Sequence, residues 1–136
     1  FNIELSDETK LLKMNEVKTS IRKKVLFNTY TASKVHKDGN LTHYSTKLDD
    51  LKIKKKISFI KIDVEGHEME VLRGAKNSVK RDKPIILIQD NDKKVINYLK
   101  SWGYEQAKIK MKNGRKNYLF IYKKNMVLFL KSINKN

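Results

Sequence analysis

A short, largely apolar run that ends in two acids constrains this chain more than any other feature of its sequence. The run covers residues 57–62, Asp63 and Glu65 follow it, and an amphipathic helical pattern starts directly after Gly66. A buried parallel strand has this appearance where it delivers side chains to the carboxyl edge of an α/β sheet, where ligands usually bind. The same acids would suit a helix start, because carboxylates there accept backbone N–H groups. The pattern alone leaves site chemistry and helix capping as two open interpretations.

The composition predicts one soluble globular domain. The chain has 136 residues, 39% of them hydrophobic and 34% charged, which is enough to bury a core under a charged surface. No apolar run approaches the ~20 residues of a membrane span, and the absence of cysteine excludes disulfides and thiolate metal sites. We therefore expect no membrane span and a cytoplasmic location. The chain starts at Phe1 inside a strand-like pattern and has no initiator Met, so we expect it to be part of a longer protein.

The net charge of +16 raises nucleic acid as a partner. The basic residues are mostly lysines spread over nearly every segment, whereas phosphate and base recognition favours the bidentate fork of arginine. We therefore expect a solvated, lysine-rich exterior and keep a nucleic-acid surface as an alternative.

The amino-terminal part of the chain shows strand patterns followed by a stretch that is difficult to interpret. Residues 1–5 and 10–14 predict two strands. Residues 15–44 are polar and weakly periodic and predict β-rich loops or a hairpin, and residues 46–51 predict a short structured approach to the next strand.

After the acids, the sequence alternates helical and strand patterns. One helix is predicted over residues 68–80, although Gly74 within it is unfavourable unless something packs closely against it. Residues 85–88 predict a second buried strand, a helix ends at Gly103, and residues 104–111 and 117–122 predict an antiparallel hairpin. Residues 126–133 fit a helix or a strand. This order predicts an α/β fold, mostly parallel with an antiparallel edge, in which the two parallel strand ends converge.

Several kinds of site chemistry have little support. His67 lies near Asp63, Glu65 and Glu68, but the sequence supplies no second histidine close by, so an ordinary helix-start residue is a better interpretation than a metal ligand. There is no Gly-x-Ser-x-Gly elbow for Ser-His-Asp hydrolysis. There is no Gly-x-Gly pair to cradle a phosphate or dinucleotide either.

A longer block around the acids resembles a known family. Residues 60–68, followed by Val-Leu-Arg-Gly-Ala at 71–75, resemble the signature of the FkbM family of S-adenosylmethionine-dependent methyltransferases. The flanks agree in order, at residues 2–7, 46–51, 84–88 and 99–104. The resemblance covers about residues 1–124 of a single partial methyltransferase domain, with residues 125–136 as a tail or closing element.

The resemblance implies a Rossmann-like class I methyltransferase sheet and O-methylation of a hydroxyl on a sugar or small metabolite. Asp63 would face the methyl group and the acceptor, while Glu65 and His67 are further catalytic candidates for orienting or deprotonating that acceptor. Ser6 and Asp7 would lie where such folds bind the adenine end of S-adenosylmethionine. The implied partners are a small-molecule or glycan acceptor and no metal.

Two departures from the family pattern limit what the resemblance implies. The family's next strand commonly ends in Glu, whereas Gln89 and Asp90 occupy that place here. A neutral amide cannot act as a base, so either Asp90 substitutes for the family's Glu or this position is not catalytic. The glycine-rich loop that holds the methyl donor would lie upstream of Phe1, together with two strands, so the cofactor-binding half of the fold would be missing. We therefore expect the amino-terminal strand to have no neighbour, and this chain alone to bind S-adenosylmethionine weakly or not at all. The alternatives are an inactive methyltransferase-like remnant or binding domain, and a basic nucleic-acid-binding module.

Overall fold

The described strands form two four-stranded sheets. The computed structural model describes residues 3–15, 34–35, 37–39, 41–89, 92–107 and 117–133. The strands of the first sheet, in chain order, are β1 (Ile3–Leu5), β2 (Lys10–Asn15), β3 (Lys34–Val35) and β4 (Leu41–Thr46). Those of the second are β5 (Phe59–Ile62), β6 (Ile85–Ile88), β7 (Tyr104–Ala107) and β8 (Tyr118–Tyr122).

The first sheet has the strand order β1-β4-β2-β3. β1 pairs with β4 in parallel, with Leu5 opposite Thr46, whereas β2 pairs antiparallel with both β3 and β4. The expectation that the amino-terminal strand lacks a neighbour is therefore wrong, because β4 supplies its hydrogen-bonding partner. The β-rich interpretation of residues 15–44 is confirmed at β3 and at the start of β4, while residues 16–33 lie outside the described residues.

The second sheet has the order β5-β6-β8-β7. β5 and β6 are parallel, with Ile62 opposite Ile88, and the carboxyl-terminal hairpin of β7 and β8 is antiparallel, as predicted. The turn of that hairpin, residues 108–116, lies outside the described residues. The α/β class is confirmed. The single, mostly parallel sheet is not, since the described strands divide into two mixed sheets in which antiparallel pairs outnumber parallel ones.

One predicted helix is divided into two. α1 (Glu68–Gly74) and α2 (Lys76–Asp82) meet at Ala75, whose backbone leaves the helical region at φ −107° and ψ 4°. The break is stabilised from outside, because the Asp49 carboxylate accepts the backbone N–H groups of Asn77 at 2.9 Å and Ser78 at 2.8 Å. Asp49 belongs to a 3-10 helix over Leu48–Leu51, so the predicted approach segment is structured and caps α2.

The remaining helices follow the sequence closely. α3 (Lys93–Ser101) begins after Asp92, whose side chain accepts the Lys94 N–H at 2.8 Å, and Gly103 follows the helix with a φ of +86°. The undecided carboxyl-terminal segment is helical, as α4 (Lys123–Ile133). No helix among the described residues is long and apolar enough to cross a membrane.

The main core lies between the second sheet and helices α1 to α3. Leu72, Ile86, Ile88 and Leu99 are all fully buried there. β6 is apolar along its whole length because one of its faces is fully buried and the other is partly covered, which explains its continuous run of isoleucine and leucine. This packing fixes the carboxyl ends of β5 and β6, where the polar residues of the motif begin.

Candidate active site

Asp63 is held at the carboxyl end of β5 by neighbours on both sides. Lys61 places its Nζ 3.0 Å from Asp63 Oδ2. Gln89 follows β6, and its backbone N–H donates to the Ile62 carbonyl at 3.3 Å. With its amide oriented so that the nitrogen faces Asp63, the Gln89 side chain lies 2.9 Å from both carboxylate oxygens. The two parallel strand ends therefore converge as predicted, and Gln89 contributes a donor at the position where the family commonly has an acid. Asp90 lies outside the described residues.

Glu65 occupies a tight turn between β5 and α1. Its φ of +49° lies in the left-handed region, which a non-glycine residue adopts at some cost, and Gly66 follows with a φ of +100°. The turn is closed by the His67 N–H, which donates to the Val64 carbonyl at 3.3 Å, and by the Gly66 N–H, which donates to Glu68 Oε1 at 3.1 Å. Glu68 is buried, whereas Glu65 is exposed and has no hydrogen bond or ion pair within the described part of the chain.

His67 joins the motif to the end of β1. Its Nε2 lies 2.9 Å from Ser6 Oγ, although the two residues are 61 positions apart in the chain. Ser6 is fully buried and donates to Asp7 Oδ1 at 3.2 Å. Three of the five predicted site residues therefore lie in one hydrogen-bonded group, and no hydrogen bond among the described residues joins that group to Asp63 or Glu65.

Two charged side chains of α1 complete this group. Glu70 Oε2 lies 3.6 Å from His67 Nδ1, and Arg73 Nη1 lies 3.5 Å from Glu70 Oε1 and 3.9 Å from Asp7 Oδ2. These contacts form a closed ring of five side chains: Ser6, Asp7, His67, Glu70 and Arg73.

Gly74 allows β1 to approach α1 this closely. A Cβ atom at this position would lie 1.9 Å from the Ser6 carbonyl oxygen and 3.2 Å from Cγ of Lys47. The glycine that appears unfavourable in the sequence therefore has the close neighbour that it requires.

An apolar cavity of about 190 Å³ lies beside the site, between β1 and β5. Both strands are at the edge of their sheets, so neither has a second strand partner on this side among the described residues. Side chains of the two strands and of the helices beneath them line it, chiefly Leu5, Leu48, Ile60, Ile62, Val71 and Leu72.

The contacts decide between the alternatives for the acids. The residue that precedes α1 is His67, whose side chain makes no capping hydrogen bond, and the partners of Asp63 are Lys61 and Gln89 rather than helix N–H groups. Helix capping therefore explains neither Asp63 nor Glu65. No group of three or more metal-binding side chains is found among the described residues. Ser6 lies near His67, but its burial denies a substrate access to the hydroxyl.

The site contains residues that sequence reasoning did not single out. The sequence identifies Gln89 only as a side chain that cannot act as a base, because its role as a donor to Asp63 depends on the parallel pairing of β5 and β6. Glu70 and Arg73 have a local signal, since residues three apart on a helix are neighbours. The contact of His67 with Ser6 has no such local signal in the sequence.

Comparison with known proteins decides the family. Residues 11–105, more than half of the chain, match the family model of the methyltransferase FkbM domain. The chain belongs to the FkbM methyltransferase family. Among solved structures it is similar to the methyltransferase FkbM from Methylobacillus flagellatus KT, with 25% identity and a TM-score of 0.49. That match covers 60% of this chain and 24% of the other, so the chain spans about a quarter of that relative. No curated protein matches it.

Proposed function

We propose that this chain forms the acceptor side and part of the donor side of a methyltransferase that transfers a methyl group from S-adenosylmethionine to a hydroxyl of a sugar or small metabolite. The observation that carries the proposal is the pair of carboxylates at the carboxyl end of β5. Both residues are exposed, but Asp63 is contacted by Lys61 and Gln89, whereas Glu65 has no hydrogen-bond or ion-pair partner among the described residues. In an α/β fold this edge is where ligands usually bind.

The two carboxylates suit different parts of the reaction. S-adenosylmethionine, when bound, supplies a methyl group on a sulfonium that an acceptor oxygen displaces in line. The acceptor hydroxyl loses its proton as its oxygen gains the methyl carbon, and a carboxylate within hydrogen-bond reach can take that proton. Glu65 is the proposed base because its carboxylate has no partner in the part of the chain that the structure describes, and Asp63 is proposed to orient the hydroxyl because Lys61 and Gln89 hold its position.

On the donor side, the proposed binding residue is Asp7 at the end of β1. Its carboxylate is partly exposed and is contacted from both sides by Ser6 and Arg73, which fits a residue that holds the adenosine end of the donor. Ser6 is too buried to touch a ligand and acts through Asp7. The chain has no Gly-x-Gly pair, so the proposal assigns the glycine-rich donor loop to sequence outside these 136 residues, and weak donor binding by this chain alone stays a prediction.

Binding of nucleic acid stays an alternative, and one observation favours it. Lys80 Nζ lies 6.0 Å from the centre of the Trp102 ring, and Lys83 Nζ lies 4.7 Å from the centre of the Tyr122 ring. Cations beside aromatic rings are the combination with which proteins bind single-stranded nucleic acid. Tyr122 lies at the end of β8 opposite to the Ile88–Tyr118 pair, and therefore away from Asp63.

The methyltransferase proposal is tested by neutralising each carboxylate in the whole protein that carries this chain. We expect Glu65→Gln to lower kcat by about 10²–10³-fold, because the proton acceptor is lost, and Asp63→Asn to lower it by a similar or smaller factor. The measurement is transfer of labelled methyl from S-adenosylmethionine to a panel of sugars and hydroxylated metabolites. Glu105→Gln, an exposed carboxylate on β7, is the matched control. Full turnover accompanied by a lowered Tm in the Asp63 and Glu65 variants would instead assign them a structural role.

A further inference from the structure

Among the catalytic candidates, His67 is the one whose side chain contacts the donor side of the site, and both nitrogens of its ring face other side chains. Nε2 contacts Ser6 at the end of β1, and Nδ1 faces Glu70 on α1. The side chain is only 16% exposed, whereas the residue Glu65 is exposed and its carboxylate unpartnered in the described part of the chain. A ring engaged in this way is poorly placed to receive a proton from an acceptor.

The contacts of the Ser6 hydroxyl indicate what the ring does instead. The Ser6 hydroxyl has one hydrogen and donates it to Asp7 Oδ1, so its oxygen is left to accept from His67 Nε2. With the hydroxyl hydrogen assigned to Asp7, the ring nitrogen that faces Ser6 is assigned as a donor, while Nδ1 faces the Glu70 carboxylate. The resulting chain of donors runs from His67 through Ser6 to Asp7.

Two independent contacts place Ser6 where this chain of donors needs it. The Ser6 N–H donates to the Thr46 carbonyl at 3.0 Å, which continues the β1–β4 pairing. On the other side, the missing side chain of Gly74 leaves room for the Ser6 carbonyl against α1. Because the hydroxyl is buried, Ser6 can act only by holding Asp7.

We propose that His67 is a positioning residue that fixes Asp7 through the buried Ser6 hydroxyl, and so couples the acidic motif to the donor side of the site. The proposal rests on the proposed function, since it takes Asp7 to hold the methyl donor. It gives His67 and Glu65 separate effects: loss of His67 weakens donor binding, whereas loss of Glu65 slows turnover.

Substitutions at position 67 separate this role from a general structural one. The side-chain nitrogen of Gln reproduces the place of Nε2, and that of Asn reproduces the place of Nδ1. We therefore expect His67→Gln to retain the bond to Ser6 and His67→Asn to lose it, although both remove the imidazole. Ser6→Ala removes the same bond from the other end.

The first experiment uses the 136-residue chain without ligand. In ¹⁵N NMR of the histidine ring, assigned from the signal that disappears in His67→Gln, we expect Nε2 to carry a proton in the unmodified chain and a larger share of rings with an unprotonated Nε2 in Ser6→Ala. We also expect the Ser6 amide to exchange at least tenfold faster in His67→Asn and at the unmodified rate in His67→Gln. An unchanged tautomer in Ser6→Ala, or equal exchange in the Asn and Gln variants, would overturn the coupling of His67 to Ser6.

The second experiment measures affinity for S-adenosylhomocysteine by calorimetry in the whole protein. We expect His67→Asn and Ser6→Ala each to weaken binding about tenfold, the effect of one lost hydrogen bond to a charged network. The double variant should lose no more than either single one, because both changes break one bond. Retained affinity in both single variants would overturn the positioning role. Absence of binding by the unmodified protein would contradict the proposed function, and the exchange and NMR results would still decide whether His67 fixes Ser6.

Discussion

The two sheets are built on different principles, although both meet at the candidate site. Among the described side chains, the buried members of the main core cluster come from the second sheet and the helices that cover it, and the first sheet contributes the partly buried Leu5. The first sheet instead leaves Leu11 69% exposed and Tyr44, which lies opposite it, 51% exposed. The second sheet therefore contributes most of the main core, although Phe59 on its edge strand β5 is 53% exposed, whereas the first sheet buries Leu12 and Met14 outside that cluster.

This difference explains how the site is assembled. Asp63 and Gln89 stand on the well-packed second sheet, whereas Asp7 stands on the first. The two are joined where the Ser6 backbone contacts Gly74 and the Ser6 hydroxyl contacts His67. Small changes at that junction should affect the donor side and leave the acceptor side intact.

Truncating one buried leucine in each sheet region tests the difference in packing between the two regions and has the largest expected effect. Leu72 on α1 is fully buried in the main cluster, and Leu12 on β2 is 6% exposed and outside it. We expect Leu72→Ala to lower the free energy of unfolding by about 4 kcal/mol and Leu12→Ala by about 2 kcal/mol, since the cost depends on the cavity left behind. Denaturant unfolding measures both. Equal losses would show that the two regions are equally well packed.

The same contrast governs what could be predicted from the sequence. Ile86 and Ile88 belong to a continuous apolar run whose burial was evident, because a strand covered on both faces needs no polar residues. The strands of the first sheet expose one face and alternate only weakly, so β3 and β4 could be predicted as β-rich but not delimited.

The parts of the site that escaped prediction depend on long-range contacts. Asp63 and the FkbM family could be inferred from the motif, and the family is confirmed. The division of the helix at Ala75 depends on a carboxylate of Asp49 that lies far away in sequence, and the His67–Ser6 contact spans 61 residues. Local propensity contains no information about such contacts. Gly74 is an exception, because a glycine within a helix predicts a close neighbour, which is the Ser6 backbone.

A second prediction concerns the junction between the two regions. Gly74→Ala places a methyl group against the Ser6 backbone, and we expect a loss of about 2 kcal/mol in the free energy of unfolding. This value is net of the gain of about 1 kcal/mol that alanine brings to a helix. Hydrogen exchange should be faster in β1 and unchanged in β6. Lys76→Ala, an exposed change in the next helix, is the control, and a Gly74 variant as stable as this control would contradict the close approach.

The smallest expected effect concerns acid stability, which should depend on the second sheet region. The Asp82 carboxylate accepts hydrogen bonds from Arg81 and, at 3.0 Å, from the Ile57 N–H ahead of β5, and these contacts lower its pKa from 3.8 to about 2. Because the pKa is lower in the folded state, this carboxylate stabilises the fold above about pH 4, and its contribution is lost as the pH falls through about 2. In the turn between β1 and β2 of the first sheet, Glu8 pairs with Lys10 in a far more exposed position. Between pH 5 and pH 2, we expect Asp82→Asn to flatten the fall in urea midpoint and Glu8→Gln to leave it unchanged. The reverse pattern would place the acid-sensitive contact in the first sheet.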